Sequence, residues 1–96
     1  MVKGGYMKEY LPIGSICLLK NGRKKVMVIG YAPQSKETNK IFDYLACVYP
    51  EGLLAADKNI SFNNDQIDKV LYEGLKDEEQ QEFSKKITNY FDNIKK

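Results

Sequence analysis

The chain has 96 residues, of which 43% are hydrophobic, and its 15 basic and 13 acidic side chains give a formal net charge of +2. This length allows one domain with a modest core, and this apolar fraction excludes wholesale disorder. Because the sequence contains no histidine, it excludes Ser-His-Asp and Cys-His catalysis and any histidine-based metal site.

The charges are unevenly distributed along the chain. Residues 1–40 carry eight basic and two acidic side chains (+6), residues 41–80 carry three and nine (−6), and residues 81–96 carry four and two (+2). Two interpretations stay open: opposite faces that recognise charged partners, or halves that neutralise each other on folding.

The chain order indicates one domain after a short loose segment. We expect a lead-in over residues 1–9 and a single domain over residues 10–96, with a sheet within 13–74 and a helix over 77–95. No signal peptide is evident, and no apolar run approaches the roughly 18 residues of a membrane span. We therefore expect a cytoplasmic protein that does not enter the membrane and whose two cysteines are buried and reduced.

Asn21-Gly22 lies between two apolar runs, 15–19 and 26–31. This dipeptide favours positive φ at both central positions of a two-residue type I′ turn, so it predicts a tight hairpin. Both runs are apolar on both faces. They therefore indicate either a sheet curled on itself or a sheet covered by a helix on one face and a loop on the other.

Further strands are predicted after the hairpin. One spans 41–49 and ends at Pro50, 60–62 is a brief strand or an extended segment, and another spans 67–73. In this last strand Val70 and Tyr72 would share one face.

The tail is predicted to be a helix that begins at Asp77. Asp77 is a favourable N-cap, and Gln80 completes a capping-box pattern. An apolar stripe follows and should cover one face of the sheet. The stripe consists of Phe83, Ile87, Tyr90, Phe91 and Ile94. The predicted fold class is α+β, with a small antiparallel sheet of about four strands packed against one C-terminal helix.

The sequence offers no catalytic residues, and we expect no enzyme activity, no cofactor and no metal site. Its carboxylates fit a solvated acidic rim. The basic cluster of Lys20, Arg23, Lys24 and Lys25 at the predicted hairpin tip suits either a nucleic-acid backbone or simple solubility. Seven tyrosines in the chain weakly favour a binding module, because tyrosine is common at interfaces.

Several short motifs, taken in order, resemble the domain-of-unknown-function family DUF4176. The resemblance extends from about Tyr10 to the final helix. The motifs are Leu11-Pro12-Ile13-Gly14-Ser15, Leu18-Leu19-Lys20-Asn21-Gly22, Lys25-Val26-Met27-Val28-Ile29-Gly30-Tyr31, Phe42-Asp43-Tyr44, Tyr49-Pro50-Glu51-Gly52, Phe62-Asn63 and Tyr72-Glu73-Gly74.

The resemblance implies a function in type VII (ESX-like) secretion, because members occur in such gene clusters of low-GC Gram-positive bacteria. It implies a cytoplasmic accessory protein that acts as a chaperone or targeting adaptor for secreted LXG-type toxins, and it supplies no catalytic residues. We predict that Tyr31, Tyr44, Tyr49 and Tyr72 contact the partner, while Arg23 steers an acidic partner. Two alternatives stay open: an immunity protein that masks a toxin, and a nucleic-acid-binding module that uses the basic hairpin tip.

Overall fold

The structure is a computed structural model that describes residues 9–94. Its elements are β1 (Ile16–Leu19), β2 (Val26–Tyr31), β3 (Tyr44–Val48), β4 (Ile60–Phe62), a 3₁₀ turn (Asn64–Gln66), β5 (Ile67–Tyr72) and α1 (Glu78–Ile94). One antiparallel sheet and a C-terminal helix confirm the predicted α+β class. The sheet has five strands, because 60–62 forms a strand of its own.

The chain divides into two compact units. One, Leu11–Leu75, contains the whole sheet, and the other contains Tyr10 and residues 76–94 with α1. Apart from Glu9, the predicted lead-in lies outside the described residues. So do Lys95 and Lys96, which were expected to close the helix.

The sheet is strongly curled, as its strand order requires. The order is β4-β3-β2-β1-β5, which places β4 and β5 at opposite edges although they are consecutive in the chain. In a flat sheet these edges would lie about 19 Å apart. The connection from Phe62 to Ile67 spans at most roughly 17 Å when fully extended, and the 3₁₀ turn shortens it. Of the alternatives left open above, the sheet therefore curls on itself.

The 3₁₀ turn is bonded to both sides of the curl. The Asn64 N–H donates to Asp43 Oδ2 over 2.8 Å, and the Asp43 N–H donates to Asn63 Oδ1 over 3.1 Å. At the end of β1, the Lys20 N–H donates to the Gln66 carbonyl over 2.8 Å. These bonds connect the turn to the start of β3 and to the end of β1, and so hold the two edges together.

The inner face of the curl is the core of this unit. Its fully buried side chains come from several strands, and Ser15 Oγ is buried with them. The buried apolar members on the strands are Cys17, Val26, Val28, Tyr44, Ala46, Cys47 and Phe62. Cys17 pairs with Val26 and Cys47 with Met27, which are successive residues of β2 and therefore lie on opposite faces. Both thiols are free and buried.

The predicted type I′ hairpin is wrong. β1 ends at Leu19 and β2 begins at Val26, so the connection is much longer than two residues. Asn21 has a φ of 68°, but Gly22 is not in the positive-φ region, and the Gly22 N–H donates to the Leu19 carbonyl over 2.9 Å. Asn21 therefore closes a turn at the end of β1. Lys25 does not pair with β1, because its carbonyl accepts a bond from the Tyr49 N–H beside β3.

The predicted alternation along β5 is also wrong. Val70 pairs with Cys17 and Tyr72 pairs with Ile16, so Leu71 is an extra residue in a β-bulge. Cys17 and Ile16 face opposite sides of the sheet, and consequently so do Val70 and Tyr72. A second register shift follows between Leu18 and Leu19.

The helical unit begins as predicted and then differs. Asp77 caps α1, since its Oδ1 accepts the Gln80 N–H over 2.9 Å. The Gln80 side chain does not complete the capping box, because its Nε2 donates to the Tyr10 carbonyl over 3.3 Å. Tyr10 also stacks on Phe91 with ring centroids 5.8 Å apart.

The predicted apolar stripe is only partly buried. Ile87 and Phe91 are buried, and Ser84 is the third buried residue of α1. The other stripe members, Phe83, Tyr90 and Ile94, are between 42% and 51% exposed.

Candidate functional site

Tyr31 and Tyr44, two of the predicted partner contacts, belong to one interior cluster. Their ring centroids lie 5.9 Å apart, and Tyr44 stacks on Phe62 at 5.2 Å. The Tyr44 hydroxyl accepts the Leu11 N–H over 2.9 Å and donates to Asn64 Oδ1 over 3.3 Å. The Tyr31 hydroxyl donates to the Leu11 carbonyl. Both tyrosines thus hold the chain where it enters the sheet, and Tyr44, which is fully buried, offers no surface to a partner.

Tyr49 and Arg23 lie on a different surface, where the basic loop (residues 20–25) meets the turn after β3. Lys24 Nζ is 2.7 Å from Glu51 Oε2, and Lys25 Nζ lies 5.9 Å from the centre of the Tyr49 ring. The hydrogen bond from Lys24 lowers the pKa of Glu51. Arg23 is exposed at the middle of the loop.

These contacts change the charge that the basic loop presents. Two of its four cations, Lys24 and Lys25, are engaged within the chain. In the described part of the chain only Lys20 and Arg23 have neither a hydrogen bond nor an ion pair from their side chains. A nucleic-acid backbone would therefore meet a smaller local excess of positive charge than the sequence suggests.

Tyr72 lies at the far end of β1 from the basic loop, in an exposed apolar cluster. It pairs with Ile16, whereas the loop follows Leu19, so the structure does not bring Tyr72 together with Tyr49 or Arg23. Tyr72 is 60% exposed. We define the β5 patch as this residue with its four apolar neighbours, which together are between 44% and 77% exposed: Ile13, Val70, Leu71, Tyr72 and Leu75.

The β5 patch is held together by a close backbone contact. A Cβ at Gly74 would lie 2.2 Å from the Ile13 carbonyl oxygen, so the two segments touch directly. The Gly74 N–H also donates to the buried Ser15 Oγ over 3.0 Å. A turn at Pro12–Ser15, with Gly14 at a φ of 91°, brings Ile13 to this position. Ile13 therefore adjoins the end of β5.

β5 is an edge strand, but its edge is poorly suited to accept another strand. No strand within residues 9–94 pairs with its outer side. Two β-bulges interrupt its register, and the charged Asp68 and Lys69 lie exposed along it. Bulges and charges are devices that discourage strand addition. Recognition at this surface should therefore use the apolar side chains.

Sequence reasoning predicted only Tyr72 among the members of the β5 patch. A signal for three others was present, because Val70, Leu71 and Tyr72 are successive apolar residues and Leu75 follows closely. An apolar run reads equally well as a buried strand. No sequence signal placed Ile13 beside Gly74, because that neighbourhood depends on the return of β5 to β1.

The helical unit contains a small polar cavity of about 130 Å³. It is lined by Glu9, Tyr10, Lys76, Gln80, Gln81, Ser84 and Lys85. Most of its polar groups bond each other: Lys76 Nζ is 2.9 Å from Glu9 Oε1, and the Tyr10 N–H donates to Ser84 Oγ over 3.3 Å. Over residues 9–94, no group of three or more Cys, Asp or Glu side chains is placed to hold a metal ion.

Within the same range, no helix combines the length and the apolar character that crossing a membrane requires.

Comparison with known proteins agrees with this geometry at the level of the family. The fold defines a small α+β protein whose exposed apolar cluster is a binding surface of the kind that interaction modules present. A sequence model for a domain of unknown function, DUF4176, matches residues 10–83. The chain belongs to this family. No curated protein and no solved structure matches it.

Proposed function

We propose that this chain is a non-catalytic chaperone or targeting adaptor that holds an LXG-type toxin before type VII secretion. The observation that carries the proposal is the β5 patch, in which five neighbouring apolar side chains are at least 44% exposed. Contiguous apolar surface of this kind is unusual on a monomer and marks interaction sites. The whole patch lies within the residues that the family shares, 10–83.

The proposed mechanism is the covering of one apolar surface by another. Tyr72 offers a large ring and a hydroxyl, and Leu71 and Leu75 offer aliphatic area around it. The toxin would shield this area with an apolar segment of its own. Both surfaces would then be protected from aggregation until export.

Co-purification tests the proposal. The full chain is expressed with the LXG-type toxin of the same gene cluster, as wild type and as Leu71→Ser. The matched control is Leu54→Ser, because Leu54 is also an exposed leucine, 65% accessible, and lies away from the β5 patch. We expect wild type and Leu54→Ser to recover the toxin, and Leu71→Ser to recover about tenfold less.

Two results would contradict the proposal. One is recovery of the wild-type chain without the toxin. The other is equal recovery by Leu71→Ser and Leu54→Ser, which would place the contact elsewhere.

The same variants distinguish an adaptor from an immunity protein. An adaptor changes the amount of toxin that is secreted, whereas an immunity protein rescues growth of intoxicated cells and leaves secretion unchanged. We expect Leu71→Ser to lower secretion. Growth rescue with unchanged secretion would replace the adaptor by the immunity alternative.

A further inference from the structure

We infer that the partner segment that covers the β5 patch is basic as well as apolar. The inference takes the location of the site from the proposed function and adds the chemistry of the segment. The β5 patch is bordered by exposed carboxylates on both sides of its apolar run: Asp68 precedes Val70, and Glu73 follows Tyr72.

Both carboxylates are available to a partner. Throughout residues 9–94, neither Asp68 nor Glu73 takes part in a hydrogen bond or an ion pair through its side chain. Residues 65–73 contain three carboxylates against the single cation Lys69. Lysine or arginine side chains on the partner would therefore meet a local excess of negative charge.

The sign of this charge is opposite to that of the chain as a whole. The net charge is +2, and the basic loop at the other end of β1 is positive. Average electrostatics would favour an acidic partner, as would steering by Arg23. A preference for a basic partner would therefore identify the β5 patch itself. It also disfavours anionic lipid and a second copy of the chain at this site, since both would bring negative charge to Asp68 and Glu73.

The charges should give selectivity more than affinity. Exposed ion pairs at the rim of an interface are weak and are screened by salt, whereas the apolar contact at the centre supplies most of the affinity. The expected signature is a preference for basic segments that fades as salt is added and that still requires Leu71.

Two synthetic peptides test the inference. Each is fluorescein-labelled, about 12 residues long, and carries leucines along one helical face. One has lysine and the other glutamate at its remaining charged positions. Fluorescence anisotropy with the full chain at low salt should show about tenfold tighter binding of the lysine peptide. Leu71→Ser should weaken that binding at least fivefold.

Paired neutralisations supply the control. Asp68→Asn with Glu73→Gln should reduce the preference to about twofold or less. Glu37→Gln with Asp57→Asn removes two exposed charges elsewhere, changes the net charge equally, and should keep the preference. Equal binding of both peptides, tighter binding of the glutamate peptide, or equal effects of the two double variants would overturn the inference. The proposed function would still be decided separately by co-purification of the toxin.

Discussion

Gly74 is needed because its backbone lies against another backbone. A Cβ there would approach the Ile13 carbonyl oxygen to 2.2 Å, which neither segment can relieve by moving a side chain. We predict that Gly74→Ala lowers the free energy of unfolding by about 1–3 kcal/mol, as measured by urea denaturation. Gly30→Ala is the control, because its Cβ would make only ordinary contacts with Leu45 at 3.6 Å. Equal midpoints for the two variants would contradict the close contact.

Tyr31 should make the fold sensitive to alkaline pH. Burial raises the pKa of Tyr31, so the unfolded chain loses this proton at a lower pH than the folded chain does. The contribution of Tyr31 to stability is therefore fully present below its ordinary pKa of about 10 and is lost as pH rises through the folded value. Ionisation also removes the hydroxyl proton that is donated to Leu11.

A Tyr31→Phe variant isolates this effect. It should be less stable by about 1 kcal/mol at neutral pH, because the Leu11 carbonyl loses its donor. Its stability should fall less steeply than that of the wild type above pH about 10, in urea titrations across that range. Parallel pH profiles would show that Tyr31 does not contribute.

The two tyrosines at the ends of the exposure range show what sequence reasoning lacks. Tyr44 is fully buried and Tyr72 is 60% exposed, although both lie in apolar strands. Tyr44 is in the middle of the sheet because β3 pairs with both β2 and β4, and Tyr72 is at the edge because β5 pairs only with β1. Strand order depends on contacts between distant residues, so local patterns could not separate a core tyrosine from a binding one.

At the scale of elements, the start of α1 depends on one side chain. Asp77 accepts the Gln80 N–H, and Gln80 is turned toward Tyr10, so no reciprocal capping bond supports the first turn. We predict that Asp77→Ala destabilises the helix by about 1 kcal/mol, detected by circular dichroism during thermal unfolding. Asp77→Asn keeps a capping oxygen and should behave as the wild type. The prediction fails if the alanine and asparagine variants melt alike.

Elements with strong local signals were predicted well, and their connections were not. The alternation in β2 and the cap at Asp77 are local properties, and both elements lie within a residue or two of their predicted bounds. The Asn21-Gly22 turn is also local, but a longer loop won because Lys24 and Lys25 interact with the turn after β3 instead of continuing a hairpin. Competition from a distant segment is invisible in a short sequence window.

At the scale of the whole molecule, the apolar content of the sequence serves two purposes. Part of it fills the curled sheet around Tyr44 and Phe62, and another part remains exposed as the β5 patch. The composition predicted one modest core but could not divide the apolar residues between that core and a surface. The family match supports the identity of the fold unit, and the exposed cluster supports its proposed use.

Hydrogen–deuterium exchange of the full chain, alone and with the LXG domain of the toxin, tests most directly whether the β5 patch is the partner-binding surface. We predict that exchange slows in peptides that cover residues 67–75 and in the peptide that contains Ile13. Slowing confined to residues 20–25 and 49–52, around Arg23 and Tyr49, would contradict this assignment and move the binding site to the basic loop.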